Sequence, residues 1–371
     1  MGQGFALGEG RSTMKKGWQT KTLGETCEMY QPKTISGKEM VADGAYPVFG
    51  ANGVIGRYNQ FNHEEPQLLI TCRGATCGSV NISEPRSWVT GNAMVVRPKN
   101  ESLAMRYLEY VFRGGIDISK AITGAAQPQI TRTNLEPLEI TFPESLAEQQ
   151  RIVGLLDEAF EGLATAKAHA QKNLQNARAL FESHLQSVFT QRGEGWVEKR
   201  LGETCEMYQP KTIGTKDLVP NGPFPVFGAN GVIGRYDKFN HEEPQLLVTC
   251  RGATCGSVNI SEPKSWITGN AMVIRPLDES LELKFLEFLF RGGIDISKAI
   301  TGAAQPQITR TNLSPLLIRF PNSVSDQSRL AEQFESLAAE TQRLAALYEQ
   351  KLAALEALKK SLLHQAFSGE L

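Results

Sequence analysis

Two sets of nine polar side chains recur through this chain, and their types define the chemistry on offer. The first set is Lys33, Asn52, Arg57, Arg73, Lys120, Gln127, Gln129, Thr131 and Arg132. The second is Lys211, Asn230, Arg235, Arg251, Lys298, Gln305, Gln307, Thr309 and Arg310. Arginine presents a planar fork of donors that matches guanine O6 and N7, Asn and Gln match adenine N6 and N7, and Lys and Thr suit phosphate oxygens. Together they are what a surface needs to read and grip DNA. For any single member the competing role is a solvated or salt-bridged surface side chain. Arg73 and Arg251 stand apart, because each lies between an apolar strand-like run and a glycine, which is the position of a tight turn. Tyr30 and Tyr208 offer either base stacking or the half-buried ring of a strand tyrosine.

Catalytic patterns are missing. There is no P-loop, no H-E-x-x-H, no G-x-S-x-G and no dinucleotide fingerprint. Gly50, Gly53 and Gly56 are not spaced as G-x-G-x-x-G and no helix follows them. The six cysteines fall as Cys27, Cys72 and Cys77 with copies Cys205, Cys250 and Cys255. The C-x4-C pair has no histidine at ligand spacing, so no metal is expected, and buried reduced thiols are the plainer reading. A Cys72/His63 nucleophile pair lacks a recognisable third, orienting group. A non-catalytic binding protein without a cofactor is therefore expected. The alternative is a thiol-dependent enzyme of unknown chemistry, with duplicated sites on a coiled-coil scaffold. The formal net charge of −1 requires a nucleic-acid binder to concentrate its basic groups locally. No run approaches the length of a membrane span and the N-terminus lacks an apolar signal region, so a cytoplasmic protein with no membrane partner is expected.

The elements that must position these side chains come twice. A single offset, read from Trp18 and Trp196, carries the sequence onto itself without a gap to the C-terminus. In each copy PVFGANGVIGRY reads as a hairpin about Asn-Gly, a type I′ signal. QLLITCRGATCGSVNI and its copy read as strand, turn and strand, with Arg-Gly at the turn. A further strand pair, a short helix (Leu103 to Phe112 in copy one), a Gly-Gly break, the polar loop GAAQPQITRTNL and a last strand follow. Between the halves, Ala147 to Thr190 reads as one helix. Ile152, Leu156, Ala159, Leu163, Ala166, Ala170, Leu174, Ala177, Phe181, Leu185 and Val188 form its apolar stripe. Ser145 and Glu148 suggest a capping box. A second stripe from Asp326 to Phe367 carries Leu330, Phe334, Leu337, Leu344, Tyr348, Leu355, Leu358 and Leu362, opened by Ser323 and Asp326, and should pair with the first. The fold class expected is α+β, a pseudo-two-fold repeat of two tandem strand-rich domains, each followed by a long helix. The boundaries expected are a disordered extension over 1–16, recognition domains over 17–146 and 193–324, and spacer and partner-docking helices over 147–192 and 325–371.

The order of PVFGANGVIG, LLITCRGATCGSV, WVTGNAMVVRP, GAAQPQITRTNLEPLEITFP and SLAEQQRIVGLLDEAF resembles the specificity subunit of type I restriction-modification systems, as does the ending LLHQAFSGEL. The resemblance runs nearly the whole chain from Gly17, twice. It implies that each half is a target recognition domain reading part of a split double-stranded DNA site. It also implies that the long helices pair as an antiparallel coiled coil, acting as a ruler, and dock DNA methyltransferase subunits, which recruit restriction subunits. This chain departs from that family in two respects: its two recognition domains are nearly the same where the family usually carries unlike ones, and, more mildly, its charge is near neutral, which suits partner subunits that supply much of the phosphate grip. Identical readers facing opposite strands imply an interrupted palindrome.

Overall fold

The computed structural model describes residues 15–371 except Arg192 and Ala229; the N-terminal extension expected over 1–16 lies almost wholly outside them. Two compact units are present, one formed by the residues up to His169 with Lys351–Leu371, the other by Ala170–Gln350.

The first unit contains β1 (Trp18–Thr22), α1 (Leu23–Thr26), β2 (Cys27–Tyr30), β3 (Tyr46–Gly50), β4 (Gly53–Tyr58), β5 (Leu68–Thr71), β6 (Val80–Ile82), β7 (Trp88–Val89) and β8 (Ala93–Pro98). It continues through α2 (Met105–Tyr110), β9 (Ile122–Thr123), β10 (Gln129–Ile130), α3 (Arg132–Leu135) and β11 (Glu139–Pro143). A sheet ordered β2-β8-β5-β6 forms the centre, and β4-β3-β7 forms a second, smaller sheet. LLIT of β5 is buried along its whole length, as a strand covered on both faces should be. One face packs with Met29, Met94, Tyr107 and Phe142, the other with Phe49, Val89 and Val95. β1 pairs antiparallel with β11, from Trp18 opposite Pro143 to Thr22 opposite Glu139, so the ends of the domain close on each other. The second unit repeats these strands and pairings.

The central helix runs Leu146–Thr190 and the C-terminal helix Val324–Ser368. In the first unit Lys167 pairs with Glu356 at 2.5 Å, while the earlier Arg151 donates to the carbonyl of the later Leu371 at 2.9 Å, so the two helices run antiparallel. In the second unit Arg178 pairs with Glu349 at 2.6 Å. Every residue of the central stripe is buried or half-buried. The second stripe agrees with its expectation at Phe334, which is buried, but differs elsewhere: Leu344 and Leu358 are exposed, and Ala331, Leu363 and Ala366, outside the stripe, are buried. A close helix seam selects small side chains, so leucine alone does not mark the covered face of this alanine-rich helix. The capping boxes also differ. Glu148 bonds Arg151 and Asp326 bonds Arg329, one turn further on, leaving only the Ser323 hydroxyl to accept from the Asp326 N–H.

The helices are fixed to their domains by two devices. After α2 the chain winds through one wide turn, Val111–Gly115, whose Gly114 leaves helical geometry. A Cβ on Gly114 would lie 2.6 Å from Leu363, and one on Gly115 2.8 Å from Phe367, so the Gly-Gly break is what admits the C-terminal helix. Gly292 and Gly293 admit Leu185 and Phe189 of the central helix in the same way. The second device is Gln149, fully buried. Its Nε2 donates to Ser102 O and Pro143 O at 2.9 and 2.8 Å, and its Oε1 accepts from the Ala104 N–H at 2.8 Å. Gln327 repeats all three bonds with Ser280, Pro321 and Glu282. Gln149→Ala should therefore lower unfolding free energy by about 1 to 3 kcal/mol, since it strands the buried Pro143 carbonyl, while Ser102 O and the Ala104 N–H are only partly buried and can turn to water. Urea denaturation checks this, and an unchanged midpoint would show that carbonyl re-paired.

Candidate nucleic-acid interface

Five loops of the first domain meet at one rim, and backbone hydrogen bonds hold them there. Cys72, fully buried, follows β5, and its carbonyl accepts from the Ile130 N–H at 2.9 Å. The Gly74 N–H donates to Pro128 O at 3.0 Å, so the Arg73 turn is zipped to the polar loop, with Arg73 opposite Gln129 in an antiparallel bridge. Gly74, at φ +85°, takes a backbone conformation that side chains disfavour. The tip of the β3–β4 hairpin joins the same place. Asn52 Nδ2 donates to the Thr76 hydroxyl at 2.7 Å, while the Thr71 hydroxyl lies 2.7 Å from Ala51 O and 3.1 Å from Asn52 Oδ1. The Cys72 N–H donates to Asn92 O, the Gly91 N–H to the Thr34 hydroxyl, and Gln31 Nε2 to Gly91 O. Trp88 Nε1 donates to Lys33 O at 3.3 Å, which brings Lys33 to the rim as well.

The eighteen candidate residues divide by what their side chains already hold. All are exposed except Thr309, which is half-exposed. Among the described residues Arg73 and Arg251 make no side-chain hydrogen bond or ion pair, nor do Lys33, Gln127 and Gln129 or their copies Lys211, Gln305 and Gln307. Those are the groups the rim offers. Asn52 is spent on Thr76 and Thr71, and Asn230 accepts from Thr249. Arg57 lies down the hairpin from its tip, donating to Gly44 O and Ala45 O at 2.6 and 2.9 Å, and Arg235 does the same to Gly222 and Pro223. Thr131 and Thr309 cap the short helices that follow them. Arg132 pairs with Glu136 at 2.6 Å, whereas Ser314 stands at the equivalent position and leaves Arg310 without an ion pair among the described residues. Lys120 and Lys298 stand on short turns beside the polar loop, and Lys298 approaches Asp295 at 3.7 Å. Sequence reasoning missed Thr76 and Asn92 at the rim. It also missed Val54 and Ile55, although two branched apolar residues directly after an Asn-Gly turn break the alternation a covered strand would show.

Tyr30 is not a free stacking platform. Its hydroxyl lies 2.8 Å from His63 Nε2, its ring stacks on that imidazole, and the Arg97 guanidinium sits 5.5 Å from its centroid. Asn62 fixes the tautomer: its Oδ1 accepts from the Val89 N–H and its Nδ2 donates to Val89 O, so His63 Nδ1 must donate to that Oδ1 at 2.6 Å. Nε2 is then the acceptor and Tyr30 the donor. Tyr208, His241 and Asn240 repeat the relay. Burial, reinforced by Arg97 and Arg275, holds both imidazoles below the usual 6.5. A depressed histidine value means the fold resists a proton that the unfolded chain accepts, so this stability is present above about pH 6.5 and lost as pH falls through the lower folded value. Denaturant midpoints measured downward from neutral pH should fall more for the wild type than for His63→Gln with His241→Gln; equal slopes would assign the loss elsewhere.

The thiol alternative finds no support in this geometry. Burial pushes Cys27 up to about 11 and Cys205 to about 12, and raises Cys72 and Cys250. A protonated thiol is a poor nucleophile, and His63 is committed to Tyr30 and Asn62. Among the described residues no cluster of three or more His, Cys, Asp or Glu could hold a metal ion, and no helix is long and apolar enough to cross a membrane.

The same polar rim recurs in two copies, each on its own strand-rich body, so the chain is a duplicated protein. The type I restriction modification DNA specificity domain family matches this chain twice, over residues 15–175 and 193–356, and the chain belongs to it. It is a non-catalytic type I specificity subunit. The specificity subunit of the Escherichia coli type I restriction enzyme EcoprrI is 29% identical over 145 residues, which cover 37% of this chain and 35% of that protein. A type I specificity subunit of Mycoplasma genitalium is 22% identical over 291 residues, covering 72% of this chain and 73% of its own. Among solved structures, a chain from a study of type I R-M complex assembly and conformational transition shares the fold at a TM-score of 0.78 and 18% identity, over 97% of this chain and 100% of that one. The HsdS subunit of Thermoanaerobacter tengcongensis does so at 0.62 and 19%, over 98% and 100%.

Proposed function

We propose that this subunit reads a bipartite DNA target, one half-site per rim, and that the target is an interrupted palindrome. The observation that carries this is the recurrence of the same unpaired groups in both copies: Lys33, Arg73, Gln127 and Gln129 match Lys211, Arg251, Gln305 and Gln307. The segments that hold them are identical too, Leu23 to Ile35 with Leu201 to Ile213, Thr71 to Pro85 with Thr249 to Pro263, and Phe112 to Leu135 with Phe290 to Leu313. Equal surfaces select equal bases, and the antiparallel course of the helices within each unit favours inverted rather than direct half-sites. The recognition domains in this reading are 17–146 and 193–324. The helices over 147–192 and 325–371 set the spacer and dock methyltransferase subunits, through which restriction subunits join. Exposed apolar surface supports docking there. Leu180, Leu337, Leu344 and Leu347 line an open groove of about 400 Å³ on the helices of the second unit, and Phe160, Leu163 and Leu355 line a smaller one in the first.

Selection from a random-sequence DNA pool, with and without methyltransferase subunits, tests the proposal. Two inverted copies of one half-site flanking unread base pairs are expected. Two unrelated halves would refute the palindrome, and no selected sequence would refute DNA reading by these rims.

A further inference from the structure

The Asn52 amide, though exposed, is bonded to Thr76 and Thr71 at the end of the β3–β4 ribbon, so the side chains that the ribbon leaves unengaged there are apolar. Val54 and Ile55 are consecutive in β4, where the register against β3 shifts and leaves Ile55 as the extra, unpaired residue of a bulge, and both are 52% exposed. Val232 and Ile233 are also 52% exposed. The branched side chains at the ribbon end are therefore about half bare in both copies. β4 is an edge strand, paired only with β3. A Cβ on Gly50 would stand 2.8 Å from Ile55 Cγ2, so glycine there lets Ile55 lie across the neighbouring strand. Both side chains are branched at Cβ and stiff at χ1, and the Asn52–Thr76 bond at 2.7 Å ties the tip to the Arg73 turn. A half-bare pair of branched side chains held this way, at the edge of a polar rim, is a preformed apolar contact.

We infer that the Val54–Ile55 ribbon tip, and Val232–Ile233 with it, reads thymine by packing on the C5-methyl group in the major groove. The inference rests on the rims facing DNA, as proposed above, and adds which bases an apolar part of the rim selects. A two-stranded ribbon fits the major groove, and the thymine methyl is the apolar group displayed on base edges there. Arg73, next to the tip, then supplies the polar half of the same reading surface. Asn52 is a positioning residue in this arrangement: it fixes the tip through Thr76 and Thr71 and leaves the reading to its neighbours.

The experiment uses the full chain with its methyltransferase subunits and the target obtained by selection, replacing each half-site thymine in turn by deoxyuridine. Removing a contacted methyl should weaken binding about fourfold, and about sixteenfold when both half-sites are changed. The quadruple variant Val54→Ala, Ile55→Ala, Val232→Ala, Ile233→Ala should bind thymine and uracil targets alike, while circular dichroism stays unchanged because these side chains are half-exposed. Insensitivity of the wild type to every uracil substitution would overturn the inference, as would sensitivity that persists in the variant. A variant that no longer retains methyltransferase subunits would make the ribbon a protein-docking edge and overturn it too. A wild-type complex that selects no sequence at all fails earlier, and marks the DNA-reading proposal itself as wrong.

Discussion

Replacing Arg73 and Arg251 together by alanine is expected to weaken target binding by about 2 to 6 kcal/mol, at about 1 to 3 kcal/mol for each bidentate contact with a base edge. Arg57 is equally exposed, but its guanidinium already donates to Gly44 O and Ala45 O. Arg132 is held by Glu136. Among the described residues Arg73 and Arg251 hold nothing, and each projects from a turn whose backbone is fixed from both sides, by Gly74 to Pro128 and by Cys72 to Ile130 in the first copy. A side chain on a rigid base loses less freedom on binding and reads more sharply. The two single variants should lose equal amounts, because residues 71–85 and 249–263 are the same sequence. Each should relax one position of one half-site and leave the other half-site unaffected. Fluorescence anisotropy at fixed salt, with the methyltransferase-bound complex, measures both effects. A variant that binds uniformly weaker on all sequences, with a shallower salt dependence, would place the arginine on phosphate instead. Two variants of wild-type affinity would remove it from the interface.

How far the sequence could be read follows from the range of each interaction. The β3–β4 hairpin, the turn at Arg73-Gly74 and the strands around them are legible because turn chemistry and strand alternation act over a few residues. The type I′ turn expected about Asn52-Gly53 is not formed: Gly50 pairs with Gly53, and of Ala51, Asn52 and Gly53 only Gly53 takes a positive φ, +119°. The central stripe is legible because eleven positions repeat at helical spacing on one face. The β1–β11 closure is not, since nothing within Trp18–Thr22 names a partner more than a hundred residues away. The C-terminal stripe misleads at Leu344 and Leu358, where a helix rich in alanine and leucine offers more apolar faces than its seam uses. Side-chain engagement is the least legible layer. Asn52 has the right chemistry for adenine, but Thr76, placed by a different loop, takes its amide. Arg57 bonds two carbonyls of a loop that sequence reasoning leaves without a defined structure. Gln149 looks like any polar residue on a helix until the carbonyls of Ser102 and Pro143 are brought to it.

The half-length fragment from Met14 to Arg192 is expected to form a homodimer that rebuilds both reading units and selects the same palindrome. The first unit takes Leu363, Ala366 and Phe367 from the end of the C-terminal helix, with Phe367 edge-on to Tyr107. The second takes Leu185, Val188 and Phe189 from the end of the central helix, with Phe189 edge-on to Phe285. These are equivalent positions, so one central helix holds both sets of contacts: Ile152 and Leu156 for its own domain, Leu185 and Phe189 for a second. Alone, the fragment would leave Leu185, Val188 and Phe189 bare, each large side chain forgoing roughly 1.5 to 3 kcal/mol of burial. A second copy supplies the missing half of each seam. One contact should improve: in the full chain Lys359 lies 5.3 Å above the Phe160 ring, and the equivalent position of the fragment is Phe181. Light scattering should give twice the fragment mass, with dissociation on dilution, and Leu185→Asp with Phe189→Asp should abolish the dimer. A folded monomer of the unaltered fragment would show that the end of the second helix is dispensable to each domain, and the equivalence of the two helices would fall with it.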